Sequence, residues 1–398
     1  MKKKVLFVID SLVCAGAEKS LITLLNLIDY KKYNVDLQLF AYGRKLEKLL
    51  SKDVNLLDPL EYTKFTEKSI KDNLMSIRSI EDIKMLKARI KFSYTIRKKH
   101  YTNAEKARLF WQINSNVIEK SDIKYDIAIS YAQGIPTFYV ADKINAKKKY
   151  AWVNVSYTLN DIDREFQKQF YDKYNKIVAV SDSARDIFIE TFNKYENKIK
   201  VIYDINDYNF ISKMANVDKG YEDNFEGIKI LTIGRLANQK GYDLSLDACK
   251  RLKDEGINFR WYSLGVGPLE NDIKQYITSN NLEDNFKLLG VKANPYPYIK
   301  NCDIYVQTSR YEGFGLAIAE ARMLNKPVIT TEFDAVYNQM IQGKNGLVVK
   351  MNGEAIYKGI KRMIEDRQLR NNIIKYLENE KKGNIEELDK FYELIGEK

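Results

Sequence analysis

Apolar residues along the chain fall into short continuous runs separated by longer stretches with an apolar position every third or fourth residue. Val5–Ile9 is the first run, closed by Asp10, and reads as a buried strand. After a loop from Asp10 to Gly16, Leu21, Leu24, Leu25 and Ile28 repeat at helical spacing from about Ala17 to Asp29. Val35–Tyr42 alternates as a second strand, and Asp126–Ser130, Lys149–Val155, Lys176–Val180 and Lys200–Tyr203 supply more. Ser181-Asp-Ser is a good N-cap for a helix through Phe192. A second series has strands at Ile228–Ile233, Asn258–Leu264, Phe286–Leu289, Ile304–Thr308, Pro327–Thr331 and Gly346–Val349. Helices at about 241–255, 269–280, 315–324 and 353–366 alternate with them, and Ile385–Ile395 is an amphipathic end helix. This alternation predicts an α/β fold of parallel sheets with right-handed crossovers.

Two stretches break the alternation. Residues 61–120 are charged, helical in pattern and poor in strand signals, and read as an insert. Residues 204–227 are polar and poorly periodic, and read as an interdomain linker. With 398 residues the chain exceeds what one core usually organises. The expected domains are 1–205, carrying the insert, and 206–375, with a C-terminal helix over 376–398 packing back towards the first. No internal repeat or low-complexity tract appears.

Composition narrows the chemistry. An apolar share of 45% and a charged share of 30% exclude wholesale disorder. Cys14, Cys249 and Cys302 lie too far apart for a disulfide framework or a zinc site, which fits a reducing compartment. The basic start before Val5 resembles a signal peptide, but the apolar run is too short for one and no stretch approaches a membrane span. The expectation is a cytoplasmic protein. The sole histidine, His100, sits among Arg97, Lys98, Lys99 and Tyr101, where a solvated role is expected. His-dependent metal hydrolysis and Ser-His-Asp chemistry therefore drop out.

Net charge is +11, and much of it is local: residues 84–108 hold nine lysines and arginines against one acid, Glu105. Ile83, Leu86, Ile90 and Tyr94 form an apolar stripe flanked by Lys84, Lys87, Lys91 and Lys98. Such a helix is a candidate for an anionic membrane surface through residues 83–108, at the inner face of the plasma membrane. The same residues also read as a solvated helix packed on its own domain. Phe92, Tyr94, Tyr101, Phe110 and Trp111 are interleaved with the charges, but no nucleic-acid motif accompanies them, and nucleic acid is not the expected partner.

Two motifs carry the chemistry. Ser309-Arg-Tyr-Glu-Gly-Phe-Gly-Leu-Ala-Ile-Ala-Glu-Ala follows a strand and opens a helix near Gly315. Gly313 and Gly315 let backbone approach a ligand, and the helix start aims free N–H groups at an anion. Glu312 lies before the helix and Glu320 inside it, an arrangement suited to a ligand anionic in the middle and hydroxyl-rich at both ends. By itself it is also how an ordinary loop with a helix-terminal glutamate reads. Leu231-Thr-Ile-Gly-Arg-Leu-Ala-Asn-Gln-Lys-Gly passes from strand to glycine turn to helix and offers Arg235 and Lys240 at the carboxyl end of a parallel strand. Fixed cations there stabilise a departing diphosphate, although a solvated basic turn has the same composition.

Together these motifs resemble family 4 (group 1) of the GT-B glycosyltransferases, whose fingerprint is Gly-Arg-Leu…Lys-Gly followed some seventy residues on by Glu-Gly-Phe-Gly-x4-Glu. Gly265-Val-Gly-Pro-Leu, Leu289-Gly-Val, Asn301-Cys-Asp, Lys326-Pro-Val, Val180-Ser and the glycine loop Cys14-Ala-Gly-Ala-Glu-Lys-Ser-Leu also match, so the resemblance covers nearly the whole chain. It is nearest to bacterial transferases of capsule, exopolysaccharide and lipopolysaccharide assembly. The resemblance implies two Rossmann-like domains with a cleft between them, acceptor side first and nucleotide-sugar side second. It implies Arg235 and Lys240 on the donor diphosphate, with Gly16, Gly315 and Leu316 amides assisting. Glu320 would hold the ribose, Gly290 and Val291 the base, and Glu312, Gly313, Phe314 and Gly315 the transferred sugar. The implied reaction is retaining hexosyl transfer from a nucleotide sugar, UDP-linked by default and GDP-linked as the alternative, to a glycan or lipid-linked acceptor, with no metal and no cofactor. Two positions depart from the family: Trp152-Val-Asn154 where many relatives have Trp-x-His, and Asp204 where an asparagine is frequent. The competing readings are a non-catalytic GT-B partner subunit, which would be expected to lose donor residues, and a sugar-nucleotide epimerase, against which the Glu-x7-Glu spacing speaks.

Overall fold

The computed structural model describes residues 2–13, 15–154 and 159–396, so Cys14 of the glycine loop and Val155 of an expected strand lie outside the described residues. The chain forms two compact units. Tyr203 ends the main part of the first and Asp204 opens the second; Lys390 onward belongs again to the first.

In the first unit β1 (Lys3–Ile9), β2 (Tyr33–Leu39), β3 (Asn55–Leu56), β4 (Lys124–Ser130), β5 (Asn145–Val153), β6 (Lys176–Ala179) and β7 (Ile199–Val201) make one parallel sheet ordered β3-β2-β1-β4-β5-β6-β7. Val5 to Ile9 are all buried because β1 is central and covered on both faces, which is why five consecutive apolar residues form a strand here. Around the sheet lie α1 (Gly16–Leu27), α2 (Glu61–Glu67), α3 (Ile70–Met75), α4 (Ile80–Ile96), α5 (Asn103–Asn114), α6 (Ile135–Lys143), α7 (Asp161–Tyr171) and α8 (Asp182–Thr191). The strand expected from Lys149 begins at Asn145: its first half is polar, with Lys147 paired to Asp126 at 2.7 Å, so apolar patterning alone starts it late.

The helical insert is α2 to α5. Ser79 and Thr102 cap α4 and α5 with reciprocal bonds from Asp82 and Glu105. The apolar stripe expected along 83–98 is split between two faces. Leu86 is buried beside Met85 and Ala88, whereas Ile83, Ile90 and Tyr94 are exposed. A residue three positions on lies about 60° round the helix, enough to turn Leu86 inward while its neighbours in the pattern face out. Among the described residues no helix is long and apolar enough to cross a membrane.

The second unit opens with α9 (Tyr208–Met214), inside the stretch expected to be linker. Asp207 caps it through the Asn209 and Phe210 amides, and only Ile211 and the following Ala215 are buried, too few to leave a period in the sequence. There follow β8 (Ile228–Ile233), α10 (Tyr242–Asp254), β9 (Phe259–Leu264), α11 (Glu270–Ser279), β10 (Phe286–Leu288), α12 (Tyr296–Lys300), β11 (Ile304–Gln307), α13 (Leu316–Met323), β12 (Val328–Thr331), β13 (Gly346–Val349), α14 (Gly353–Glu365) and α15 (Arg367–Asn379). The parallel sheet runs β10-β9-β8-β11-β12-β13, with one core under α10, α11, α14 and α15 and another under α9, α12 and α13. Both units are Rossmann-like α/β folds. The end segment is not one helix over 376–398: α15 reaches Asn379, and α16 (Glu387–Ile395) is separate. Gly383 breaks them at φ +71, where a Cβ would lie 2.5 Å from the Asn206 carbonyl oxygen. Within the first unit, Tyr150 Oη donates to the Leu394 carbonyl at 2.9 Å and Phe391 stacks on Phe7.

Candidate functional site

The order of the second sheet reverses between β8 and β11, and ligands of open α/β sheets bind beyond the carboxyl ends of strands at such a point. Ile230 pairs with Ile304 and Leu231 with Tyr305, so two motifs some seventy residues apart in sequence emerge side by side. Glycines make the approach possible. A Cβ on Gly265 would lie 1.9 Å from the Gly234 carbonyl oxygen, and one on Gly241, at φ +62, 2.1 Å from that of Thr308. The stem of Lys240 lies across Gly234, where a Cβ would come within 3.1 Å of it.

That path delivers Lys240 Nζ to Glu312 Oε1 at 2.5 Å, with the two side chains 17% and 10% exposed. Ser309 Oγ donates to the same oxygen at 2.5 Å and Gln307 Nε2 at 3.3 Å. Gln307 is itself fixed by the Tyr305 hydroxyl at 2.6 Å. Oε1 thus takes every protein donor, and Oε2 has no partner among the described residues. Arg235 shares the glycine turn with Lys240 but is exposed and makes no hydrogen bond or ion pair with a described side chain.

Gly315, at φ +85, caps α13, whose first N–H groups have no partner within the helix. Glu320 lies on α13 only 3% exposed, and Tyr296 Oη of α12 donates to its Oε1 at 3.2 Å. Burial, reinforced by this carboxylate, pushes the Tyr296 hydroxyl well above the usual phenol range, so it stays a donor. Gly290, at φ +67 beyond β10, accepts from the Gly265 N–H at 2.9 Å, and Val291 follows in the same loop. Gly313 is buried and Phe314 half-buried next to Glu312. Gly16 opens α1. The structure therefore joins Lys240 to Glu312, sets Arg235 in the same turn, and carries Glu320 on the helix that follows, buried on a separate partner.

Residues 217–380 match the family model for glycosyl transferases group 1. The matched stretch lies wholly within the second unit. The chain is similar to an uncharacterized glycosyltransferase of Methanocaldococcus jannaschii, 28% identical over 57% of this chain and 64% of that one. It is similar to an N-acetylgalactosamine-N,N'-diacetylbacillosaminyl-diphospho-undecaprenol 4-alpha-N-acetylgalactosaminyltransferase of Campylobacter jejuni, 29% identical over 50% and 53%. The chain thus spans between half and two thirds of these relatives' length. Its fold is that of a crystal structure of Anabaena HepE in complex with UDP and glucose, at a TM-score of 0.71 and 19% identity over 99% of each chain.

Within the matched stretch, motif reading did not single out Gln307, Tyr296 or Gln339. Ser309 stood in the quoted motif, three residues before Glu312, but its role becomes visible only with the Glu312 bond. Gln339 left no sequence signal at all. Its amide donates to the Phe314 carbonyl and, at 3.2 Å, to that of Gly315, while its Oε1 accepts from Arg322 Nη1 at 3.4 Å. Arg322 is paired in turn with Glu380 of the segment after α15 at 2.5 Å. In the first unit Asn154 donates to the Tyr131 carbonyl at 2.6 Å, and its buried Oδ1 has no partner among the described residues. In the second unit Asp204 is buried with its carbonyl bonded by Asn206 and Asn384.

Proposed function

We propose that the chain is a retaining, metal-independent hexosyltransferase that moves a sugar from a nucleoside diphosphate donor to a hydroxyl of a glycan or lipid-linked oligosaccharide in surface polysaccharide synthesis. The observation that carries this reading is the Lys240–Glu312 contact beyond the carboxyl ends of β8 and β11, with Arg235 unengaged in the same turn. A half-buried cation, a free cation and a carboxylate with one unengaged oxygen suit a ligand with a diphosphate next to a polyol.

In this reading the donor diphosphate lies between Arg235, Lys240 and the start of α13, assisted by the Gly16, Gly315 and Leu316 amides. Glu320 receives the ribose hydroxyls, the Gly290–Val291 backbone the base, and Glu312 with the Gly313–Gly315 segment the hexose. The bond from C1 to the diphosphate oxygen breaks as the acceptor oxygen bonds C1 on the same face. The acceptor proton passes to the departing phosphate oxygen, so no protein nucleophile enters. Charge developing on the diphosphate strengthens its bonds to the two cations in the transition state more than in the ground state. Uracil is favoured as the base by the UDP in the Anabaena structure of the same fold, with guanosine as the alternative. A lipid-linked acceptor is favoured by the undecaprenol named for the Campylobacter relative.

A panel of nucleotide sugars tests this. The true donor, at about 100 times its Kd, should raise the melting temperature by roughly 5 °C or more. With acceptor it should release the nucleoside diphosphate at a rate unchanged by EDTA, giving a product of the donor's anomeric configuration. Inverted product, chelator sensitivity or no stabilisation by any member would each defeat the reading. Gln339→Leu should lower kcat about tenfold, since it frees the Phe314–Gly315 backbone beside the reacting sugar. Gln339→Glu should fail to rescue, because a carboxylate cannot donate to those carbonyls. An unchanged rate in Gln339→Leu would show that Arg322 and the helix suffice.

A further inference from the structure

We propose that the outer face of α4, with the adjoining end of α3, docks the chain on an anionic lipid surface. Among the described residues, seven of the sixteen exposed large apolar side chains fall between Ile70 and Tyr94, and the others are scattered. Met75, Ile80 and Tyr94 are 71%, 68% and 66% exposed. Such a concentration on two consecutive helices is what interaction surfaces show and isolated exposed residues do not.

The face is built on a firm support. The inner side of α4 buries Met85, Leu86 and Ala88, and Arg89 Nη1 donates to the Lys68 carbonyl at 2.7 Å, so the helix is held without using its outer side. Ile80, Ile83, Lys87, Ile90, Lys91, Tyr94 and Lys98 then share that outer side at three- and four-residue spacing. Lys84 is paired with Glu81 at 3.6 Å, but no acid among the described residues lies within ion-pair distance of Lys87 or Lys91. Lys98 sits over the Tyr94 ring at 4.7 Å. Branched aliphatic side chains interleaved with unneutralised ammonium groups complement a surface of acyl chains under anionic headgroups.

The structure disfavours the other occupants. A nucleic-acid surface needs several aromatic platforms, yet Phe92 and Phe110 pack edge to face at 5.3 Å and Trp111 is buried, so three of the five interleaved aromatics pack within the unit and Tyr94 is left as a single exposed ring on α4. A second copy meeting this face symmetrically would set lysine against lysine. Four of the basic residues counted in the segment are engaged within the unit, Arg89 on backbone, Arg108 on Asp163 at 2.5 Å, Lys84 on Glu81 and Lys99 on Glu105, whereas Lys87 and Lys91 stand without an acid on the outer face of α4. The proposal stands apart from the donor-site reading, because α4 and that site belong to different units.

Flotation of the full chain with phosphatidylcholine vesicles, with and without phosphatidylglycerol, tests it. The wild type should float only with the mixed vesicles and be released by salt. Lys87→Ala with Lys91→Ala should weaken binding roughly 30-fold. Ile83→Ser with Ile90→Ser should weaken it roughly tenfold or more, with unchanged melting temperature because both residues are exposed. A control pair in the second unit, Lys250→Ala with Lys274→Ala, should bind as wild type. Equal binding to both vesicles, no flotation, unaffected α4 variants, or a dimer or nucleic-acid complex lost in their place would each overturn the assignment.

Discussion

Glu312→Ala is expected to cut sugar transfer roughly 10²- to 10³-fold while leaving a folded protein. Glu312 Oε1 collects Lys240, Ser309 and Gln307, so the carboxylate is held in one orientation before any ligand arrives. Its other oxygen has no protein partner among the described residues and is available to a sugar hydroxyl. Alanine removes that acceptor and also leaves Lys240 without its counter-charge. The stability cost should be about 1–3 kcal/mol, because the pair is part-buried and Lys240 can still reach water. Glu312→Gln keeps the shape and one acceptor oxygen but not the charge, and should fall between wild type and alanine. Lys240→Ala with Glu312→Ala should show a coupling above about 0.5 kcal/mol in a double-mutant cycle read by melting temperature. Initial rates with the identified donor, beside circular dichroism, decide the matter. Near-normal turnover in Glu312→Ala would remove the residue from the reacting centre.

Arg235→Ala should separate activity from stability still more cleanly. Arg235 is exposed and bonded to no described side chain, so its loss should move stability by no more than about 0.5 kcal/mol. If it meets the departing diphosphate, kcat should fall roughly 10²- to 10³-fold, and affinity for the free nucleoside diphosphate should fall with it. Arg235→Lys should recover only part, since an ammonium cannot make the two-pronged contact that a guanidinium makes with phosphate. Calorimetry with UDP and steady-state rates provide the readouts. Wild-type affinity and rate in Arg235→Ala would mark it as a surface residue and leave Lys240 as the sole cation of the site.

The two residues differ in how they could be found. Arg235 was visible to sequence reading because it stands in a glycine turn directly after a strand. Gln339 was not: it lies in an irregular stretch after β12, and its bonds to the Phe314 and Gly315 carbonyls depend on how that stretch folds back. The insert shows the same limit. Spacing identified a basic helix over 83–98, but the face that meets the core depends on the neighbouring helices, and they turn Leu86 in and Ile83, Ile90 and Tyr94 out. The short helix α9 escaped because Ile211 and Ala215 are too few buried positions to make a period.

Local order was written in the chain itself. Runs such as Val5–Ile9 and Ile228–Ile233 can satisfy their backbone groups and bury their side chains only as strands of a covered parallel sheet, and this determined the α/β class and most element positions. Gly315 likewise announced where backbone must turn, whereas the close approaches at Gly241 and Gly265 became visible only in the structure. Only the tertiary structure decided that β8 and β11 are neighbours, which carries Lys240 to Glu312 across some seventy residues of chain. That pairing follows from strand order in the sheet, a global property of how the crossovers close, and no local pattern encodes it.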